Sequence, residues 1–244
     1  MTIQEMHYDL SLRLDKLDSL NYDNILSPEK DMYLNRAQLT LVKLKYGNNN
    51  SYGEGFEQIQ KRIEDLKKIV VKSCNNDSLC ENPILPLYLD SVKGIYTFNL
   101  DNLTKGKYMI YISSYVTAKK GRCTIDIVPH ITQHDDLYLS LADNKYKPSF
   151  EWMYLPIVFS ENYIYAYTNN EFQLGELFVD YIRYPLDMHY GDYNDENGNL
   201  IPQQNCELPD FIHSEILDLA EAYIKKDIES PSVELTYQNL KMNE

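Results

Sequence analysis

Three stretches of the 244-residue sequence gather side chains able to do chemistry. His130 and His134, followed by Asp135 and Asp136, offer the imidazole and carboxylate ligands that a divalent metal takes. A zinc site needs a third ligand at workable spacing, and none has it; Pro129 also puts His130 at a strand end. Asp135 and Asp136 read instead as the start of a helix, where the N-terminal dipole favours carboxylates. Asp192-Tyr193-Asn194-Asp195-Glu196-Asn197-Gly198 has the composition of a calcium loop. Counted from Asp192, however, the sixth position is Asn197 where glycine is needed, and the twelfth is Gln203 where a bidentate glutamate is needed. An EF-hand is excluded; a solvated acidic turn is expected, with scope for no more than a weak adventitious cation. His213, Ser214 and Glu215 suggest a nucleophile relay, but no G-x-S-x-G turn presents the serine. Helical phase puts His213 within an apolar arc, where a buried and hydrogen-bonded imidazole is expected. Neither the P-loop pattern nor G-x-G-x-x-G occurs. The reading is a non-enzyme with no catalytic residue, no metal and no cofactor.

Charge narrows the partners. The chain has 23 Lys plus Arg against 37 Asp plus Glu, a net charge of −14. Such a surface argues against a duplex-binding protein, whose affinity rests on cations neutralising phosphates. It argues equally against an anionic membrane surface as partner. The charge is uneven: −2 over residues 1–84, −2 over 85–186 and −10 over 187–244. Lys119-Lys120-Gly121-Arg122 is the basic cluster of the middle segment and reads as a hairpin tip able to touch phosphate or an acidic neighbour. The start of the chain lacks a basic segment followed by an apolar run, so no secretory leader is expected. The longest charge-free apolar stretch, Tyr108 to Ala118, is too short to span a bilayer. Cys74, Cys80, Cys123 and Cys206 show no C-x-x-C spacing and read as reduced thiols.

The elements that position these residues follow from periodicity. Residues 1–84 read as N-terminal helices. Thr2 and Glu5 have capping-box spacing before a stripe of Ile3, Met6, Leu10, Leu14 and Leu17. Ser27 is the expected N-cap of a second helix, with Pro28 at its first position and Gly47 as a left-handed stop near Tyr46. A third is expected from Ser51 and Glu54 with Phe56, Ile59, Ile63, Leu66 and Val70 on one face. Residues 85–186 read as a β-rich region: 95–100, 108–117, 122–128, 152–159, 163–168 and 176–184 are rich in β-branched and aromatic residues. One short helix, capped by Thr132, interrupts them. Fifteen of the 22 tyrosines fall between Tyr88 and Tyr193, as suits half-exposed sheet faces. Residues 187–230 form an acidic loop and a C-terminal helix packing on the N-terminal ones. That helix carries two stripes, Ile212/Ile216/Leu219/Tyr223 and Leu217/Ala220/Ile224/Ile228, so it is expected to bury two sides, with another subunit as the alternative partner for one of them. Residues 231–244 read as an extended tail anchored by Val233, Leu235, Tyr237 and Leu240. The fold class is α+β: a helical bundle from both chain ends with a large β-rich insertion.

An ordered series of segments runs from Arg13-Leu14-Asp15-Lys16-Leu17-Asp18 through Pro28, Tyr33-Leu34-Asn35-Arg36-Ala37-Gln38 and Tyr46-Gly47. It continues with Gln133-His134-Asp135-Asp136-Leu137, Pro148-Ser149 and Tyr181-Ile182-Arg183-Tyr184-Pro185. Cys206-Glu207-Leu208-Pro209 and Asp227-Ile228-Glu229-Ser230-Pro231 complete it. In order and spacing this series resembles the ring, or head–tail adaptor, proteins in the neck of crAss-like tailed bacteriophages. The resemblance implies a structural virion protein in a twelve-subunit ring bound to the portal protein and to adjacent ring or tail proteins. Genomic DNA would be a passing occupant of the channel, with no sequence readout, and no membrane would be involved. Synthesis would be in the host cytoplasm and the final location the virion neck. Candidate interface residues are Tyr181, Arg183 and Tyr184, with the tail anchors Val233, Leu235, Tyr237 and Leu240. The alternative is a carbohydrate-binding or tail-fibre module using the tyrosine-rich sheet, since exposed tyrosines stack on sugars.

Overall fold

The computed structural model describes residues 1–15, 25–47, 60–73, 84–86, 88–90, 94–100, 107–194 and 198–227. The first elements are α1 (Ile3–Asp15), α2 (Ser27–Tyr46), α3 (Gln60–Leu66), β1 (Val70–Val71), β2 (Tyr88–Asp90), β3 (Ile95–Asn99), β4 (Tyr108–Lys120), β5 (Cys123–Ile127) and β6 (His130–Ile131). There follow α4 (Leu137–Ala142), β7 (Pro156–Ser160), β8 (Tyr163–Tyr167), β9 (Gln173–Arg183) and, after a 3-10 turn at Asp210–Ile212, α5 (His213–Asp227). The class is α+β. The chain divides into two units, one made of Met1–Ile69 with Tyr184–Glu244 and the other of Val70–Arg183.

In the helical unit the capping box forms as its spacing predicts. Thr2 N–H donates to the Glu5 carboxylate at 2.9 Å, and Glu5 N–H to Thr2 Oγ1 at 3.3 Å. Two orphan donors of the helix end are thereby satisfied. Ile3, Met6 and Leu10 are fully buried, whereas Leu17 lies outside the described residues. The start of α2 differs from expectation. Leu26 holds the extended N-cap position and its N–H donates to the Glu29 carboxylate at 2.9 Å. Ser27 is drawn away to donate to Asp192 at 2.8 Å. Gly47 is extended (φ −73°) rather than left-handed, with its N–H on the Lys43 carbonyl.

The third helix stops at Leu66, short of the expected Val70. Val70 and Val71, β-branched and better suited to a strand, pair instead with Ile182 and Tyr181. Its expected start and Phe56 and Ile59 lie outside the described residues. On α5, Ile212, Ile216 and Leu219 are buried on one side and Leu217, Ala220 and Ile224 on the other. Helices α1 and α2 both pack against α5, so these residues are buried within the chain, while Tyr223 is half-buried and Ile228 lies outside the described residues. Burial of each such aliphatic contributes about 1.5–3 kcal/mol, which makes α5 the keel of this unit.

The second unit holds two sheets. One has the order β1-β9-β4-β5 and is antiparallel; the other is β2-β3-β8-β7-β6, antiparallel except for the β6–β7 pair. Val116, Ala118, Leu177 and Val179 of the first share a buried core with Phe98, Ile157, Ile164 and Ala166 of the second. Strand alternation sends one face of each sheet into that core. Gly121 (φ +63°) turns the β4–β5 hairpin, as the Lys120-Gly121 signal predicts. Asn169 and Asn170, both at positive φ, turn β8 toward β9 and pass so close to Gly94 that a Cβ there would lie 2.3 Å from the Asn170 nitrogen. The unit begins at Val70 rather than 85.

Two further expectations need correction. Strand β7 begins at Pro156, because Ser149 and Tyr154 bridge each other and close a turn that carries Trp152 and Met153 outside the sheet. Thr132 does not cap the short helix: its N–H donates to the Ile157 carbonyl at 2.9 Å, continuing the β6–β7 pairing, and Asp136 takes the N-cap position.

Candidate functional site

The densest polar constellation in the helical unit centres on Asp31. A carboxylate on a helix whose neighbouring turns bury Leu34, Gln38 and Leu41 is carried into the core, and Asp31 is 2% exposed. It accepts from His7 Nε2 at 2.7 Å, from Tyr190 N–H at 2.9 Å and from Tyr193 Oη at 2.9 Å. The proton of His7 is therefore on Nε2 toward the carboxylate. Tyr193 is pushed up to about 12 by burial first and by its bond to Asp31 second. Asn35 adds a two-way clamp: its amide donates to the Met188 carbonyl at 3.0 Å, and Met188 N–H donates back at 2.7 Å. With Ser27 on Asp192, the acidic segment after residue 186 is tied down along α2. Both carboxylate oxygens of Asp31 are engaged by donors of the chain itself, the arrangement of a structural tie.

Two more charge clusters brace the same unit. Arg13 bonds Asp218 and Asp9 and lies 3.5 Å from Glu221, joining α1 to α5. Lys45, nearly buried, reaches Glu215 at 2.7 Å and Asp65 at 3.3 Å. Burial raises the Asp65 carboxyl above its ordinary range against the pull of Lys45. At the far end of α2, Tyr33 donates to Asp227 at 3.0 Å, and Arg36 sits 4.4 Å from the Tyr223 ring centre. The segment Tyr33–Gln38 thus meets α5 with Tyr33 and Arg36 and the 186–188 strip with Asn35 and Gln38.

The sequence candidates for chemistry fall as follows. His213 is 1% exposed, and its Nε2 lies 3.1 Å from the Leu208 carbonyl, as the helical phase predicts. Burial lowers its pKa. His134 bonds the Phe159 carbonyl, and His130 packs its ring near Tyr154. Among the described residues no cluster of three or more His, Cys, Asp or Glu is arranged to hold a metal. Asp192 carries Ser27, while residues 195–197 lie outside the described residues. In the basic hairpin, Lys120 reaches Glu151 at 2.7 Å and Glu171 at 3.2 Å, which draws Glu151 down to about 2. Cys206 is a free thiol that burial pushes up to about 11, and Cys123 is free and exposed; Cys74 and Cys80 lie outside the described residues.

Of the candidate interface residues, Tyr181 is 1% exposed and packs its ring beside Tyr108, inside its own unit. Arg183 ends β9 opposite Tyr108. Tyr184 is 48% exposed. Val233, Leu235, Tyr237 and Leu240 lie outside the described residues.

Sequence reasoning missed a groove on the β-rich unit. It is open, about 460 Å³, and lies beside β6 and α4 with His130, Gln133, Asp136, Asp143, Tyr146 and Tyr154 in its lining. The His130 and Tyr154 rings are 5.6 Å apart and the Tyr154 and Tyr146 rings 6.4 Å apart. The signal available beforehand was the histidine-aspartate stretch followed by two tyrosines, which the metal question obscured. Among the described residues no helix is long and apolar enough to cross a membrane. No protein-family model matches the chain, and no curated protein matches it in sequence.

Proposed function

We propose that the chain is a subunit of a head–tail connector ring in the neck of a crAss-like tailed bacteriophage, joining the portal protein to the tail around the DNA channel. The observation that carries this reading is the helical unit drawing on both ends of the chain, Met1–Ile69 and Tyr184–Glu244, with the β-rich unit as an insertion between them. The connectors that the sequence resembles have that layout. Further support comes from the segments of the resemblance. Within those segments Arg13, Tyr33, Asn35, Arg36 and Gln38 make bonds that hold parts of the helical unit together, beside the Asp31 and Lys45 clusters.

In this reading the chain does no chemistry and needs no cofactor. Its partners are copies of itself in a twelve-subunit ring, the portal protein and adjacent ring or tail proteins. DNA passes through without sequence readout, and an acidic wall keeps it from sticking. The test is electron microscopy of the chain mixed with the portal protein. A closed ring coaxial with the portal is expected; a chain that stays monomeric beside an intact portal overturns the proposal.

A further inference from the structure

The groove beside β6 and α4 lies outside the connector reading, and its lining favours one class of ligand. Aromatic rings and polar groups share its lining. His130, Tyr154 and Tyr146 follow one another at 5.6 and 6.4 Å, while Asp136, Asp143 and Gln133 bring carboxylate and amide oxygens and an amide N–H donor. A pyranose presents this combination in reverse: an apolar C–H face that covers an aromatic ring, edged by vicinal hydroxyls that both donate and accept. The open form of the groove suits a chain of sugars rather than an enclosed small molecule.

At the Tyr146 ring, charge disfavours a basic peptide. Lys145 Nζ stands 5.4 Å from the ring centre, so an incoming lysine or arginine meets a like charge there, although Asp136 and Asp143 elsewhere in the lining would attract it; a neutral polyol is indifferent to both. An apolar peptide face is disfavoured because polar side chains dominate the lining. The platform is also held in place. Tyr154 is fixed by its backbone bridge to Ser149, with N–H···O bonds of 2.9 Å in each direction. We infer that this groove is a subsite for a neutral oligosaccharide, with Tyr146 and Tyr154, whose ring planes are inclined at 59°, each stacking a separate sugar and Asp136, Asp143 and Gln133 as hydroxyl partners. The inference stands apart from the connector proposal: either can fail without the other.

The chain's one tryptophan, Trp152, sits two residues from Tyr154 and is 85% exposed, which supplies a local reporter. The experiment screens the full chain on an array of neutral glycans, then titrates the hits as free oligosaccharides while following Trp152 fluorescence and heat of binding. At least one neutral glycan is expected to bind saturably. Tyr146→Ala, an exposed site whose loss leaves the core intact, should weaken it at least tenfold, and Asp136→Asn should weaken it several-fold. Tyr184→Ala, in the other unit, should leave affinity unchanged. No saturable neutral glycan, affinity that ignores Tyr146→Ala, or a preference for a lysine- and arginine-rich peptide over every glycan would each overturn the inference.

Discussion

Replacing Asp31 by alanine removes one carboxylate and strands three donors at once, so its effect can be worked from the structure. His7 is itself buried and loses its hydrogen bond of 2.7 Å, while Tyr190 N–H and Tyr193 Oη, both half-buried, can turn to water. A hydrogen bond to a charged group is worth about 1.5–3 kcal/mol. His7, buried and left without its acceptor, adds a desolvation cost of about 1–3 kcal/mol, and the two half-buried donors recover much of their share, so about 3–5 kcal/mol is the expected total. At about 2–4 °C per kcal/mol for a chain of this size, the melting temperature should fall by roughly 6–20 °C. The assay is urea denaturation with amide hydrogen exchange. The Tyr190 amide should lose protection before the amides of β9 do, because it belongs to the other unit. Asp31→Asn, which keeps the shape, should cost about half as much and let the Tyr193 phenol fall part of the way from about 12, burial being the larger cause. A loss under about 1 kcal/mol for Asp31→Ala, with the Tyr190 amide still protected, would show that the constellation is not a structural tie.

Gly94→Ala must place a Cβ 2.3 Å from the Asn170 nitrogen at φ +63°, and should destabilise the β-rich unit by more than about 3 kcal/mol in urea melts. Gly121→Ala has the same φ with nothing within 4 Å, so it should cost only about 1–2 kcal/mol; equal losses would refute the steric account. His213 is held neutral by burial, its pKa lying below 6.5, so the unfolded chain binds the proton more readily. Its contribution to stability is present above 6.5 and is lost as pH falls through the folded value. Denaturation midpoints across that window should decline, and His213→Leu should flatten that part of the slope. Deleting residues 231–244 should leave both units folded by circular dichroism but stop the chain from joining a portal-containing complex, as the proposed docking of that segment requires. Normal assembly of the truncated chain would refute that role.

Local chemistry was readable in advance and long-range chemistry was not. The Thr2/Glu5 box and the buried His213 both depend on residues a few positions apart, whose geometry a helix or turn dictates. The Asp31 tie joins positions 24 and 159 residues away, and no local rule links them. A trace was present: Asp31, Leu34, Gln38, Leu41 and Lys45 recur at helical spacing, so polar groups stand on a buried stripe and must find partners. The short strand at Val70–Val71 was hidden because two β-branched residues after a helix fit its apolar face equally well until β9 offers an edge. Thr132 was misread for a similar reason, since cap preference is weaker than a parallel strand pair. The groove went unread because its rings come from a strand, a loop and a turn.

The division of the helical unit between the two ends of the chain has a consequence for biosynthesis. Helices α1 and α2 leave the ribosome long before α5, which covers them. At about 5–20 residues per second, their apolar stripes wait of order 10–30 s for the partner helix. The β-rich unit, contiguous from Val70 to Arg183, is complete within that interval and brings its first and last strands together as neighbours. Translation thus delivers a finished insertion between two unfinished halves. The early helices are the part of the nascent chain most in need of a chaperone, and truncation just before His213 should yield a folded β unit trailing aggregation-prone helices.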